Sequence, residues 1–277
     1  MGDEKVHPDA LSNRLARSRL GLSVFILIAF SIPWTGWIIQ RTTIGLDHMF
    51  DSFGTYWFTA APSVAGFVAA GAEGGLGGLR QFTIRVFNLR FRFWVWLLAL
   101  LMPLAAALLT FTGHPADLWH GGHPKLAAAL ATASLANFFT GPIAEEFGWR
   151  GYLLGWLCGR HRPVVAGLVI GPIWAAWHIP LFYDSVFAHV PSALGYSVWV
   201  TGWSVVLSLI VTRARGSVLP SILGHWFLNA LPAIFFALLP TLPGERQPGG
   251  IAFSVTSVAL AIMLAWWWRN AKWRPVH

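Results

Sequence analysis

The chain has 277 residues, of which 56% are apolar and only 11% charged, with a mean hydropathy of +0.58. A soluble domain carries about a quarter charged residues, and one core of this size could not hide so much apolar surface, so lipid must be the solvent for most of the chain. The net charge of +8 comes from short basic clusters between apolar runs, not from a stripe of Lys and Arg interleaved with aromatics, which argues against a nucleic-acid partner.

The first 19 residues are polar, and no apolar core precedes a small-residue cleavage site, so residues 20–39 read as a retained first span rather than a removable signal. A spanning helix needs about 20 mostly apolar residues. Runs at 20–39, 55–72, 93–112, 126–159, 163–182, 193–211, 217–239 and 251–268 are the candidates. Between the second and third, residues 79–92 mix Arg with Phe, Val, Ile and Leu and read as an amphipathic helix lying in the membrane interface. Gly113-His114-Pro115 and the Gly/Pro-rich stretch 240–250 are joints. The fourth run is too long for one straight span and is expected to be a single long helix, tilted or bent near Gly141-Pro142, its cytoplasmic end projecting beyond the bilayer.

The expected fold is therefore all-α: one polytopic domain of about eight transmembrane helices over 20–268, enclosing a buried catalytic cavity, with tails at 1–19 and 269–277. In this arrangement fifteen of the 19 basic residues fall on the side of the termini and three on the other, with Arg150 inside a span. The positive-inside rule then puts both termini in the cytoplasm. Seventeen Trp, several near the ends of the runs, fit the aromatic belts of the two headgroup layers. The lone Cys158 excludes an intramolecular disulfide and CxxC-type metal sites.

Ionisable residues within spans are costly and mark functional sites. Three groups qualify: Glu145-Glu146-Phe147-Gly148-Trp149-Arg150, Trp174-Ala175-Ala176-Trp177-His178, and His225-Trp226-Phe227-Leu228-Asn229. Glu146 and Arg150 are four apart and should pair. Glu145, about 100° round the helix, faces elsewhere and is left free for chemistry. At about 1.5 Å per residue, Glu145, His178 and Asn229 lie about 20–22 Å from the cytoplasmic ends of their helices, with His225 one turn shallower. Trp174 and Trp177 read as packing, and Asp184, at the outer end of the fifth run, reads as solvated.

The order EExxxR, aromatic-xxx-H, HxxxN on successive spans resembles the CPBP family of intramembrane proteases, which includes type II CAAX prenyl endopeptidases and bacterial Abi-type proteins. The motifs lie within residues 125–235. The resemblance implies a peptidase in which Glu145 activates water with His178, His225 and Asn229 complete the site, and Glu146 and Arg150 support it. The second motif usually begins with Phe; here it is Trp174. Two mechanisms remain open. Glu145 can act as a metal-free general base, or Glu145, His178 and His225 can hold a Zn²⁺ with an open fourth position. The expected partner is a membrane-associated or lipidated protein or peptide in the lipid bilayer. The alternatives are a catalytically idle membrane scaffold or immunity protein, against which the intact motif set argues, and a proton- or ion-coupled transporter, against which the missing inverted repeat argues.

Overall fold

A computed structural model of the chain describes residues 8–45, 53–111, 124–238 and 251–269, and within them every regular element is helical. In chain order these are α1 (Pro8–Thr43), α2 (Phe53–Phe58), α3 (Ala61–Val86) and α4 (Trp94–Phe111). An unbroken helical run follows: α5 (Pro124–Phe138), a π-helical stretch Phe139–Ile143, α6 (Ala144–Glu146), a second π-helical stretch Phe147–Leu153, and α7 (Leu154–Cys158). Next come α8 (Pro163–Trp177), α9 (Ile179–Phe182) leading into a π-helical stretch Tyr183–Phe187, α10 (Val190–Arg213), α11 (Leu219–Leu238) and α12 (Ile251–Trp267).

Two stretches, Ala16–Thr43 and Val190–Arg213, are long and apolar enough to cross a membrane, and the pair Pro163–Trp177 and Ile179–Phe187, bent by 51°, makes a third if it is one span. Trp94–Leu109 and Ser254–Trp267 are apolar but shorter. The chain is an all-helical protein of membrane type.

Several local expectations are corrected. Residues 8–19 are helical and continuous with the first apolar run in α1. The second apolar run is interrupted at Thr59-Ala60, and α3 restarts with Pro62 in its first turn, where the missing N–H costs no hydrogen bond. Residues 79–92 are not one interfacial helix. Gly75, at φ 59° and ψ −150°, divides α3, a conformation open to glycine because it has no Cβ. The arm beyond it buries Phe82 and Val86 against protein, with Phe82 edge-on to Phe67 at 4.9 Å. Part of the apolar stripe thus finds a protein partner, while Ile84 and Phe87 stay exposed. The arm ends at Asn88, whose side chain accepts the Arg90 N–H at 2.9 Å, a local bond that competes with helix continuation. The fourth run is one continuous helix, as expected, and is π-helical around Gly141-Pro142. The joints at 113–115 and 240–250, and the tail 270–277, lie outside the described residues.

The helix α10 packs against α8, α11 and α12, and small residues permit its close approach to α8. A Cβ on Gly167 would lie 2.8 Å from Val205 Cα, and one on Gly171 2.5 Å from Thr201 Cα. These glycines, four apart, face residues four apart on α10, the small-xxx-small packing of membrane helices. A second close approach joins α3 to the Phe147–Leu153 stretch, where a Cβ on Gly66 would lie 2.9 Å from the Phe147 carbonyl oxygen. After α10 the chain turns through Gly216, and the Val218 N–H donates to the Val86 carbonyl at 3.1 Å. That bond ties the start of α11 to the end of α3, two turns before His225.

Gly171→Ala is expected to lower stability by about 1–3 kcal/mol, because the added methyl meets backbone that cannot move aside. Gly71→Ala, where nothing lies within 4 Å of the new Cβ, should leave the thermal midpoint in detergent unchanged or raise it. Equal midpoints for Gly171→Ala and wild type would contradict the close α8–α10 contact.

Candidate active site

Glu145 and Glu146 sit on α6, the single short α-helical segment between the two π-helical stretches. Such π-helical insertions recur at functional sites because they re-aim side chains without ending the helix. Both carboxylates, Arg150, His178 and His225 are buried.

Glu146 is bound from two sides. Arg150 Nη1 donates to Glu146 Oε1 at 2.7 Å, and His225 Nδ1, from α11, lies 3.0 Å from the same oxygen. Since the guanidinium is charged, Glu146 is an acceptor-only carboxylate and His225 Nδ1 must be the donor. His225 Nε2 is thereby left as the other ring atom.

Glu145 turns to α8. Its Oε2 accepts the Trp174 indole N–H at 2.6 Å, and Oε1 carries no hydrogen bond among the described residues. The Trp174 ring also lies under Arg150, with Cζ 4.1 Å from its centroid, and meets His225 edge-on at 5.1 Å. Its carbonyl oxygen accepts His178 Nδ1 at 2.8 Å. A carbonyl only accepts, so His178 carries its proton on Nδ1 and presents Nε2 as an acceptor. Glu145 is within electrostatic reach of His225 and of Tyr196.

His178 stands at the bend between α8 and α9, and α1 holds that bend. Trp34 Nε1 donates to the Trp177 carbonyl at 3.1 Å, and Trp177 Nε1 donates to the Ala29 carbonyl at 2.8 Å. The imidazole is then clamped between Phe182, stacked at 5.4 Å with a 9° interplanar angle, and the edge of Tyr196 at 5.8 Å.

Asn229 lies outside this hydrogen-bonded cluster. It is one turn beyond His225, and its Nδ2 donates to Asn137 Oδ1 at 3.1 Å. Both asparagines crowd Gly141, where an added Cβ would be 3.2 Å from Asn137 Nδ2 and 3.4 Å from Asn229 Nδ2. Gly141 is about one turn before Glu145, so Asn229 borders the site along the same helix. Asp184 is not merely solvated: its carboxylate pairs with Arg41 at 2.7 Å, because the bend after His178 brings it to the end of α1.

Three residues of the site were missed or misread in sequence. Trp174, read as packing, makes a polar contact to Glu145 that only a tertiary arrangement reveals. Tyr196 carries no periodic link to the motifs. Asn137 had a signal, being a polar residue about two turns before Glu145 in an apolar run.

The donor set Glu145, His178 and His225 has the chemistry of a zinc site, and the atoms that their other bonds leave over are Glu145 Oε1 and the two Nε2 atoms. Among the described residues no group of three or more His, Cys, Asp or Glu side chains is placed to hold a metal ion. His225 Nδ1, His178 Nδ1 and Glu145 Oε2 are engaged with Glu146, the Trp174 carbonyl and the Trp174 indole respectively, bonds that orient the opposite atoms for a metal as well as for a water.

Fold and site together define a membrane-type helical protein built around a buried cluster of two carboxylates, an arginine and two histidines. Residues 127–231, which contain the whole cluster and Asn229, match the family model of the Type II CAAX prenyl endopeptidase Rce1-like proteins, and all three motifs lie within the matched stretch. CAAX prenyl protease 2 of Methanococcus maripaludis is 25% identical over 92 residues, 31% of this chain and 34% of that protein. The alignment thus spans about a third of the relative's length.

Arg150→Ala would strand the buried Glu146 carboxylate with His225 as its remaining partner. Stability is expected to fall by about 3–5 kcal/mol, the usual cost of breaking a buried ion pair from one side. Thermal unfolding of the purified variant checks this, and an unshifted midpoint would refute the pairing.

Proposed function

We propose that the protein is an intramembrane endopeptidase that hydrolyses a peptide bond in membrane-associated or lipidated, CAAX-like substrates, with Glu145 as the general base. The observation that carries this reading is the unequal treatment of two adjacent buried carboxylates. Glu146 is neutralised by Arg150 at 2.7 Å, whereas Glu145 is held by an uncharged indole through one oxygen. The family match over 127–231 supports the same reaction class.

A water on Glu145 Oε1 is the nucleophile. Glu145 takes its proton as the oxygen attacks the scissile carbonyl carbon, and later delivers that proton to the leaving amine. The water's second O–H donates to Nε2 of His178, whose own proton sits on Nδ1, which leaves a lone pair facing the carbonyl carbon, and His225 Nε2 lines the site beside it. Donation to the developing oxyanion falls to Asn229, whose amide has two N–H groups, one of them engaged with Asn137. A donor at that position stabilises the tetrahedral intermediate. No step is routed through a metal. In the membrane the chain takes the eight-span arrangement with both termini in the cytoplasm, which delivers the substrate segment to the depth of the cluster.

The test is cleavage of a fluorogenic prenylated peptide by purified protein in detergent or liposomes. Glu145→Gln is expected to lower turnover by about 10²–10⁴-fold while leaving the thermal midpoint near wild type. Retention of most activity would remove Glu145 as the base. A strong chelator is expected to leave the wild-type rate unchanged, and a chelator-induced loss reversed by added zinc would overturn the metal-free route.

A further inference from the structure

Two carboxylates and one guanidinium occupy adjacent turns of a single buried helix, yet the guanidinium engages only one of them. Arg150 has donors to spare: its Nε and Nη2 are buried and have no hydrogen-bond partner among the described residues. A charged donor of that kind would bond Glu145 if it could reach it, since charge-assisted bonds to carboxylates are strong and frequently bidentate. What covers it is the Trp174 ring, its centroid 4.1 Å from Arg150 Cζ. The same indole uses its N–H on Glu145 Oε2 at 2.6 Å. The aromatic face compensates the cation without neutralising a carboxylate.

We infer that Trp174 is a positioning residue that keeps the two carboxylates in different roles: its ring face commits Arg150 to Glu146, and its N–H aims Glu145 so that Oε1 is the oxygen presented to water. The inference rests on Glu145 as the base. It predicts two separable contributions from one side chain. Removing the N–H alone frees Glu145 to rotate. Shrinking the ring also uncovers Arg150, which then swings toward Glu145 and ties up the base.

Replacing Trp174 by benzothienylalanine tests the first contribution, because sulfur substitutes for the indole N–H in a side chain of nearly the same shape. Expected is a fall in kcat of about ten- to a hundredfold, the effect of losing a hydrogen bond to a charged group, with KM and the thermal midpoint close to wild type. Trp174→Phe installs the residue that the motif usually carries; in this chain it should lower kcat further by uncovering Arg150, and wild-type kcat in it would overturn the role of the ring. Wild-type kcat in the benzothienylalanine protein would overturn the inference. So would a loss of activity accompanied by an equal loss of thermal stability, or one confined to KM, since either describes a packing or substrate-contact role. Glu145→Gln measured alongside separates the two levels. If that variant is inactive and the benzothienylalanine protein is unaffected, only the role of Trp174 fails. If Glu145→Gln is active, the assignment of the base fails and the inference with it.

Discussion

Glu146 Oε1, shared between Arg150 and His225 at 2.7 Å and 3.0 Å, is the contact on which the rest of the interior depends. A carboxylate and a guanidinium removed from water lose several kcal/mol of hydration each and persist only if their partners are held in place. Arg150 comes from the same helix, so its position follows from local winding. His225 comes from a different helix, and its bond to Glu146 fixes how α11 lies against the Pro124–Cys158 run. Once those two helices are joined, the neighbouring carboxylate, Glu145, is carried to α8.

The surrounding packing keeps that arrangement rigid by bringing backbones together. Gly66 lets α3 lie on the π-helical stretch that contains Arg150, and Gly167 and Gly171 let α8 lie on α10. Between lipid-facing helices there is little hydrophobic gain, so close van der Waals contact and buried hydrogen bonds supply the cohesion. The indole donors illustrate the second means. Trp34 and Trp177 bond backbone carbonyls across the α1 boundary with the α8–α9 bend, one at the bend itself and the other the Ala29 carbonyl that Pro33 leaves without a helical donor, and so hold the bend where His178 sits.

The π-helical stretches on either side of Glu145-Glu146 connect the fold to the chemistry. A regular helix would repeat its side-chain directions every 3.6 residues through this segment. The wider winding shifts the register, yet keeps the chain helical and its backbone groups bonded where no water is available. One carboxylate can then bind its own helix and α11 while the next binds α8, from consecutive positions.

The sequence alone determined that the chain is helical and made for lipid, because composition acts on every residue independently and a charge content of 11% leaves no other solvent. It also determined the Glu146–Arg150 pair, since four-residue spacing is a property of one helix, and it marked the three helices that carry polar residues. What crosses between helices was decided by the tertiary structure. Depth gathers His225 into the site without naming its partner, and its Nδ1 meets Glu146, because depth along an axis says nothing of rotation about it. Trp174 reads as packing, because an indole in an apolar run shows its N–H only when a neighbour is given. The division of α3 at Gly75 and the π-helical winding around Gly141-Pro142 also escaped local reasoning. Gly and Pro permit a break, and whether one forms depends on what the flanking helix arms can bury.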